Sequence, residues 1–182
     1  MAIQKDLAAL SSEVIEEYLA IAEHCVTTQK APGAIYGYPA TLLLFCTVDA
    51  MTVYLGGKNN TFTAFNEPLF SLCFSSDELK RLANLYRHLL AHAAAIAPGV
   101  ILTPEDSGDA FEFNVNEPTR IRVPAFYHLV KKAWGAFDKS KLKPEDQLKR
   151  KQFIAKPIDL SGASTAFLMA SSGAPMPPIE VK

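Results

Sequence analysis

Cysteine is scarce and scattered. The chain has three, Cys25, Cys46 and Cys73, with no CxxC pair. Neither a disulfide framework nor a thiolate metal cluster is expected, and all three read as reduced core thiols. An excess of charge of one sign is also missing. Eighteen Lys and Arg stand against nineteen Asp and Glu, for a net charge of −1. Without a global basic field, any nucleic-acid contact must come from a local patch. Long apolar runs are absent too, since the longest, ATLLLFCTVDAMTVYL, is broken by Asp49 and is short for a membrane span. The segment MAIQKDLAALSSEVIEE carries Glu13, Glu16 and Glu17 where a secretion signal needs an apolar stretch, so a cytoplasmic location is expected. GGK at 56–58 lacks the first Gly and the Ser/Thr of a P-loop. No Ser/His/Asp constellation or dinucleotide fingerprint stands out.

What is present suits one sizeable core: 49% of the 182 residues are apolar. Leu7, Leu10, Val14, Tyr18, Ile21 and Cys25 fall three to four apart and predict a helix over 5–29 with that stripe inward. APG at 31–33 ends it. Residues 39–55 are apolar on nearly every side. Thr41, Thr47, Val48, Thr52 and Val53 suit a strand, but the length favours a buried helix opened by Pro39 and stopped by Gly56-Gly57. A loop with one short helical turn follows.

The next helix has a sharp start. Ser75 and Glu78 form a capping box, with Phe74 and Leu79 placed as its staple. The helix is expected to run from about Ser76 to Ala97, before Pro98-Gly99. VILT, AFEFNV and TRIRV then alternate with period two and predict a small antiparallel hairpin or three-stranded insert at about 100–123. Pro124 opens a last helix with Phe126, Leu129, Val130, Ala133, Trp134 and Phe137 on one face. The fold class that follows is mainly α. It is an antiparallel bundle of four to five helices with a small β-hairpin insert before the last core helix, over residues 1–138. Residues 139–182 read as a basic connector and a Pro/Ser/Ala-rich extended tail, in which Phe167, Leu168 and Met169 are apolar enough to dock.

The third helix contains RHLLAH, an unusual insertion of polar groups into a Leu/Ala helix. On a helical wheel Lys80, Arg81, Asn84, Arg87, His88, Ala91 and Ala95 form the polar face, with His92 at its edge. His88 and His92 stack one turn apart. Ala91, Ala94 and Ala95 sit where a solvated face normally carries Lys and Glu, so a second helix can approach closely there. Bland readings stand beside functional ones. Arg87 serves either phosphate binding or as the partner that a buried Asp49 needs. His92 is catalytic or a satisfied interface histidine. His88 and His92 would make half a metal site, but no carboxylate has the right spacing. Arg120 and Arg122 share a strand face and reach either an RNA backbone or only solvent. The basic stretch 139–156 is an RNA-steering arm or a solvated connector. His24 and His128 read as boundary residues.

Arg87-His88-Leu89-Leu90-Ala91-His92 resembles the R-x(4–6)-H motif of the HEPN superfamily, including the polar residue after the Arg. The order of elements is similar as well: a buried helix with an internal acid (CTVDAMTVYLGG), the motif helix, a short hairpin, then the VPAFYHLVKKA helix. The resemblance spans roughly residues 5–138. It implies a helical homodimer formed through the Arg87–Ala95 face, with two motifs meeting in one composite site. It also implies metal-independent endoribonuclease activity of a toxin or defence type, with no cofactor. Arg87 and His92 would be catalytic, with His88, Asp49 and Asn84 in support and Arg120 and Arg122 as RNA contacts. An antitoxin or nucleotidyltransferase partner belongs to the same implication. However, the Tyr that such a transferase modifies in some HEPN toxins is here Ala94, which removes support for that form of control. The alternative from another class is a non-catalytic HEPN-like dimer that binds RNA or a protein. A third is a purely structural helical module.

Overall fold

The computed structural model describes residues 7–31, 33–91, 99–114 and 117–142. The chain is mainly helical, with a small three-stranded sheet. Four α-helices lie among the described residues: α1 (Leu7–Thr27), α2 (Gly37–Tyr54), α3 (Ser76–Ala91) and α4 (Val123–Ala136). Strands β1 (Val100–Thr103), β2 (Phe111–Glu112) and β3 (Thr119–Arg122) stand between α3 and α4. Short 3-10 turns occupy Thr63–Asn66 and Lys139–Lys141. Among the described residues no helix is long and apolar enough to cross a membrane.

The ambiguous second segment is a helix, for a physical reason. Its interior threonines, which as β-branched residues leaned toward a strand, return their hydroxyls to the preceding turn. Thr41 Oγ1 donates to Gly37 O at 2.7 Å and Thr47 Oγ1 to Leu43 O at 3.0 Å. Their polarity is thus satisfied inside the helix, and α2 can be buried on several sides. It contributes Phe45, the meeting point of the core. The Phe45 ring lies 5.2 Å from Phe62 in the following loop, 6.1 Å from Tyr86 of α3, 6.4 Å from Phe111 of β2 and 5.2 Å from Phe126 of α4. One ring therefore ties five segments together through tilted and edge-on contacts, the favoured aromatic geometry.

Helix α1 corrects the sequence reading. Its core face is Ile15, Leu19, Ala22 and Cys25, whereas Leu10, Val14 and Ile21 are exposed by 41–50%. The helix carries two apolar stripes about one residue apart in phase, and the burial of Ile15 and Leu19 decides between them. The insert is the three-stranded alternative, and the correction concerns only its strand directions. It has the order β1-β3-β2, with β2 antiparallel to β3 but β1 parallel to it, Val100 opposite Thr119 and Thr103 opposite Arg122. With β2 antiparallel to β3 and β1 parallel to it, β3 runs in the direction of β1. Thr119 and Ile121 are buried, leaving Arg120 and Arg122 on the other face.

Packing continues beyond residue 138. Leu142 is buried in the core, and Lys139 lies 4.9 Å over the Trp134 ring while bonding Glu16 at 2.8 Å. The expectations for the tail from 143 onward lie outside the described residues. Cys25 is buried and Cys46 half-buried, as core thiols should be. Cys73 departs from that reading and is exposed, in a loop where its φ of 52° turns it away from the core.

Candidate functional site: a groove beside Arg87

The groove is built by two neighbouring segments, each fixed by local hydrogen bonds. The first begins where α2 stops. Gly56 takes a φ of +91°, and its N–H bonds Val53 O at 3.0 Å, while the Gly57 N–H bonds Thr52 O at 2.9 Å. This is the paired arrangement that closes a helix with glycine in the left-handed region. The chain then folds back on α2. The Asp49 carboxylate accepts the Asn60 N–H, and Thr52 Oγ1 accepts the Ala64 N–H at 3.3 Å. Asn60 and Phe62 have φ values of 59° and 54°. A left-handed backbone is costly for a bulky residue such as Phe. The ring offsets this by complete burial, edge-on to Phe45 and at 5.3 Å to Tyr86.

The second segment is α3. Its predicted capping box forms fully: Ser75 N–H and Oγ both donate to Glu78 Oε2 at 2.7 Å, and the Glu78 N–H donates to Ser75 Oγ at 3.2 Å. Ahead of it, the Asn66 amide clamps Phe74 by two bonds, donating to its carbonyl at 2.7 Å and accepting its N–H at 2.6 Å. The loop end and the helix start are thereby tied to each other.

Between them lies an open groove of about 420 Å³. Asn60, Thr61 and Thr63 form one wall, and Ser76, Leu79, Lys80, Ala83, Asn84 and Arg87 the other. Among the described residues the lining holds two cations, two amides and three hydroxyls, and no carboxylate. Of the two acids in the first turn of α3, Asp77 bonds Lys80 at 3.1 Å with both side chains largely in solvent, and Glu78 is held by the capping box. Such a surface offers donors and positive charge to an anion.

The candidate residues divide accordingly. Arg87 and Asn84 are exposed and line the groove together. Asp49 is half-buried behind it and holds the Asn60 wall in place. His88, expected on the exposed face, is half-buried. His92, and with it Ala93 to Pro98, lies outside the described residues. Arg120 and Arg122 are elsewhere, within an ionic cluster on the sheet. Arg122 bonds Glu105 at 3.2 Å, Glu112 at 2.8 Å and Asp109 O at 2.8 Å, and Arg120 lies 4.0 and 3.9 Å from the same two carboxylates. The Glu112 carboxyl is held below its usual range by bonds from Asn114 and Arg122. The arrangement accounts for both arginines within the fold. His128 faces Asp106 at 3.5 Å on the surface, and His24 is exposed near Thr28.

Asn60, Thr61, Thr63 and Lys80 were not singled out by sequence. The Gly-Gly stop followed by Asn-Asn signalled a tight turn, but not which helix it would face. Behind the groove, burial pushes the Tyr86 hydroxyl and the Cys46 thiol above their ordinary values; the two atoms are 3.5 Å apart. Among the described residues no three His, Cys, Asp or Glu side chains converge as a cation-binding group. Comparison of the chain with protein-family models, with curated proteins and with solved structures finds no match.

Proposed function

We propose that this chain is a HEPN-type, metal-independent endoribonuclease, acting in the cytoplasm as a homodimeric helical bundle of toxin or defence character, with Arg87 and His92 as its catalytic pair. The observation that carries the reading is the setting of Arg87. It is exposed on a cation-bearing groove with no lining carboxylate among the described residues, where a phosphodiester can approach it. The chemistry needs little more. RNA supplies its own nucleophile, the 2′-OH. One histidine takes that proton as the 2′-oxygen attacks phosphorus, and the P–O5′ bond breaks. A second protonated group gives a proton to the leaving 5′-oxygen. The Arg87 fork holds the phosphate as charge builds on its oxygens. The products are a 2′,3′-cyclic phosphate and a 5′-OH end. Two copies of the motif across a two-fold axis supply both proton-transfer roles.

The test is cleavage of a mixed RNA by the purified protein in EDTA, beside Arg87→Ala and His92→Ala. Wild-type cleavage that leaves cyclic phosphate ends and falls by about 10²–10⁴-fold in each variant is expected. Cleavage unchanged by either substitution, or none by the wild type, refutes the reading. A second reading has its own support, the exposed apolar ridge of Leu10, Val14 and Ile21 on α1. There the chain is a non-catalytic module that meets a protein partner through that ridge. It predicts no RNA turnover, and a complex that Val14→Lys disrupts.

A further inference from the structure

We infer that the part of the groove running from Arg87 toward the start of α3 is a backbone track for single-stranded nucleic acid. Lys80 with the side chains of Asn60, Thr63 and Ser76 grips a phosphodiester next to the one that Arg87 holds. The inference deepens the ribonuclease reading and rests on it for the role of Arg87, but the grip itself is a binding property.

Three observations carry it. Lys80 and Arg87 line one groove from one helix face seven residues apart, a separation of roughly 10 Å along the axis. That suits successive phosphates better than a single ion. Among the described residues the groove has no aromatic in its lining, so they offer no platform on which bases stack. Its lining donors are ammonium, guanidinium, amide and hydroxyl groups, which suit phosphate and sugar oxygens and read no base edge. Finally, the α3 capping box already uses the Glu78 N–H and the Ser75 side chain. The charged groups that face a strand in the groove are Lys80 and Arg87. Lys80 is free to turn, because its bond to Asp77 lies on the surface and is weakened by solvent. The opposite wall does not move with it, since Asn60 is anchored to Asp49 and Thr61 Oγ1 to Lys58 O at 2.6 Å.

The experiment measures binding of a fluorescent 2′-O-methyl oligouridine, which cannot be cleaved by 2′-OH attack, to the full chain over a range of salt. Lys80→Glu is compared with Lys132→Glu, an exposed α4 cation outside the groove that changes net charge equally. Lys80→Glu is expected to weaken binding about tenfold. It should also lower the slope of log affinity against log salt by about 0.7 for each phosphate that is no longer neutralised. An oligoadenosine of equal length should bind within a few fold of the oligouridine. Equal loss in the two variants, or none in either, overturns the track. So does displacement of the oligomer by inorganic phosphate at equal concentration, which would mark a free-oxyanion site. The two readings fail separately. A wild type that binds through Lys80 without cutting unmodified RNA keeps the track and removes the ribonuclease. Cleavage that needs Arg87 and His92 but with oligomer affinity untouched by Lys80→Glu does the reverse.

Discussion

The Asp49 carboxylate of α2 accepts the backbone N–H of Asn60, eleven residues later, and so fixes one wall of the Arg87 groove. Asp49 was expected from sequence to need a partner because it sits in an apolar helix. One partner is the backbone of a left-handed loop residue, Asn60. Asp49→Ala removes a charged acceptor from a partly buried donor, and a loss of roughly 1.5–3 kcal/mol is expected. Asp49→Asn, which keeps an acceptor oxygen, should lose less. Urea unfolding followed by the single Trp reads both as shifts of the midpoint at constant slope.

Gly57 tolerates no side chain. A Cβ there would lie 2.6 Å from Thr63 Oγ1, 2.7 Å from Thr52 Cγ2 and 2.9 Å from the Thr52 carbonyl. The carbonyl belongs to α2 and cannot step aside. Gly57→Ala should cost about 1–3 kcal/mol. It should also weaken oligonucleotide binding, because Thr63 lines the groove. A melting temperature equal to wild type would contradict the packing described.

Alkaline pH should expose Tyr86. Burial is the main cause of its raised pKa, followed by its bond to Cys46. The folded state therefore keeps a proton that the unfolded chain releases near pH 10. Above that pH the unfolded state binds fewer protons, and stability falls as pH rises. The stabilisation is complete below about pH 10 and is lost upward from there. Tyr86→Phe retains the ring packing against Phe45 and Phe62. A shallower alkaline slope of its urea midpoint is expected, and an unchanged slope would reject the assignment.

Arg122 holds the sheet to its loop. Its guanidinium serves three acceptors, on Glu105, Asp109 and Glu112, from a largely buried position. Lys has one point charge in place of that fork, so Arg122→Lys should destabilise by roughly 1–2 kcal/mol. The same bonds help hold Glu112 below the ordinary carboxylate range. A lowered carboxyl stabilises above its unfolded value and loses that contribution as pH falls through the folded one. The variant should therefore show a weaker acid dependence of stability below about pH 4.3, the usual Glu value. An acid limb identical to wild type would count against the cluster.

How much could be read from sequence depended on how local the governing rule was. The start of α3 was fully legible, since Ser75 and Glu78 satisfy each other within one turn. The inward face of α1 was not, because Leu10-Val14-Ile21 and Ile15-Leu19-Ala22 are equally good apolar stripes, and only packing against α2 and α4 separates them. Strand positions followed from alternation. Their direction did not, because period two is the same for parallel and antiparallel pairs. Arg87 and Asn84 were visible as polar interruptions of a Leu/Ala helix. The other wall of the groove was hidden in a loop whose course depends on Phe62 reaching Phe45 and on Asp49 reaching Asn60.

The strand order also constrains how the chain can assemble as it is made. Among the described strands β3 is the last in the chain yet the central one, and β1 and β2 hydrogen-bond to it rather than to each other. Until Thr119–Arg122 emerges, neither earlier strand has its sheet partner. Arg122 then passes directly into Val123, the first residue of α4, with no linker. Closing the sheet therefore delivers Phe126 to Phe45 and Phe111 in the same movement. Chain growth up to residue 118 leaves the core without Ile121, Phe126 and Val130, all of which are buried in it. A chain ending before that point would hold the residues of the Asn60–Arg87 groove but lack Phe126, which covers Phe45 and Phe111.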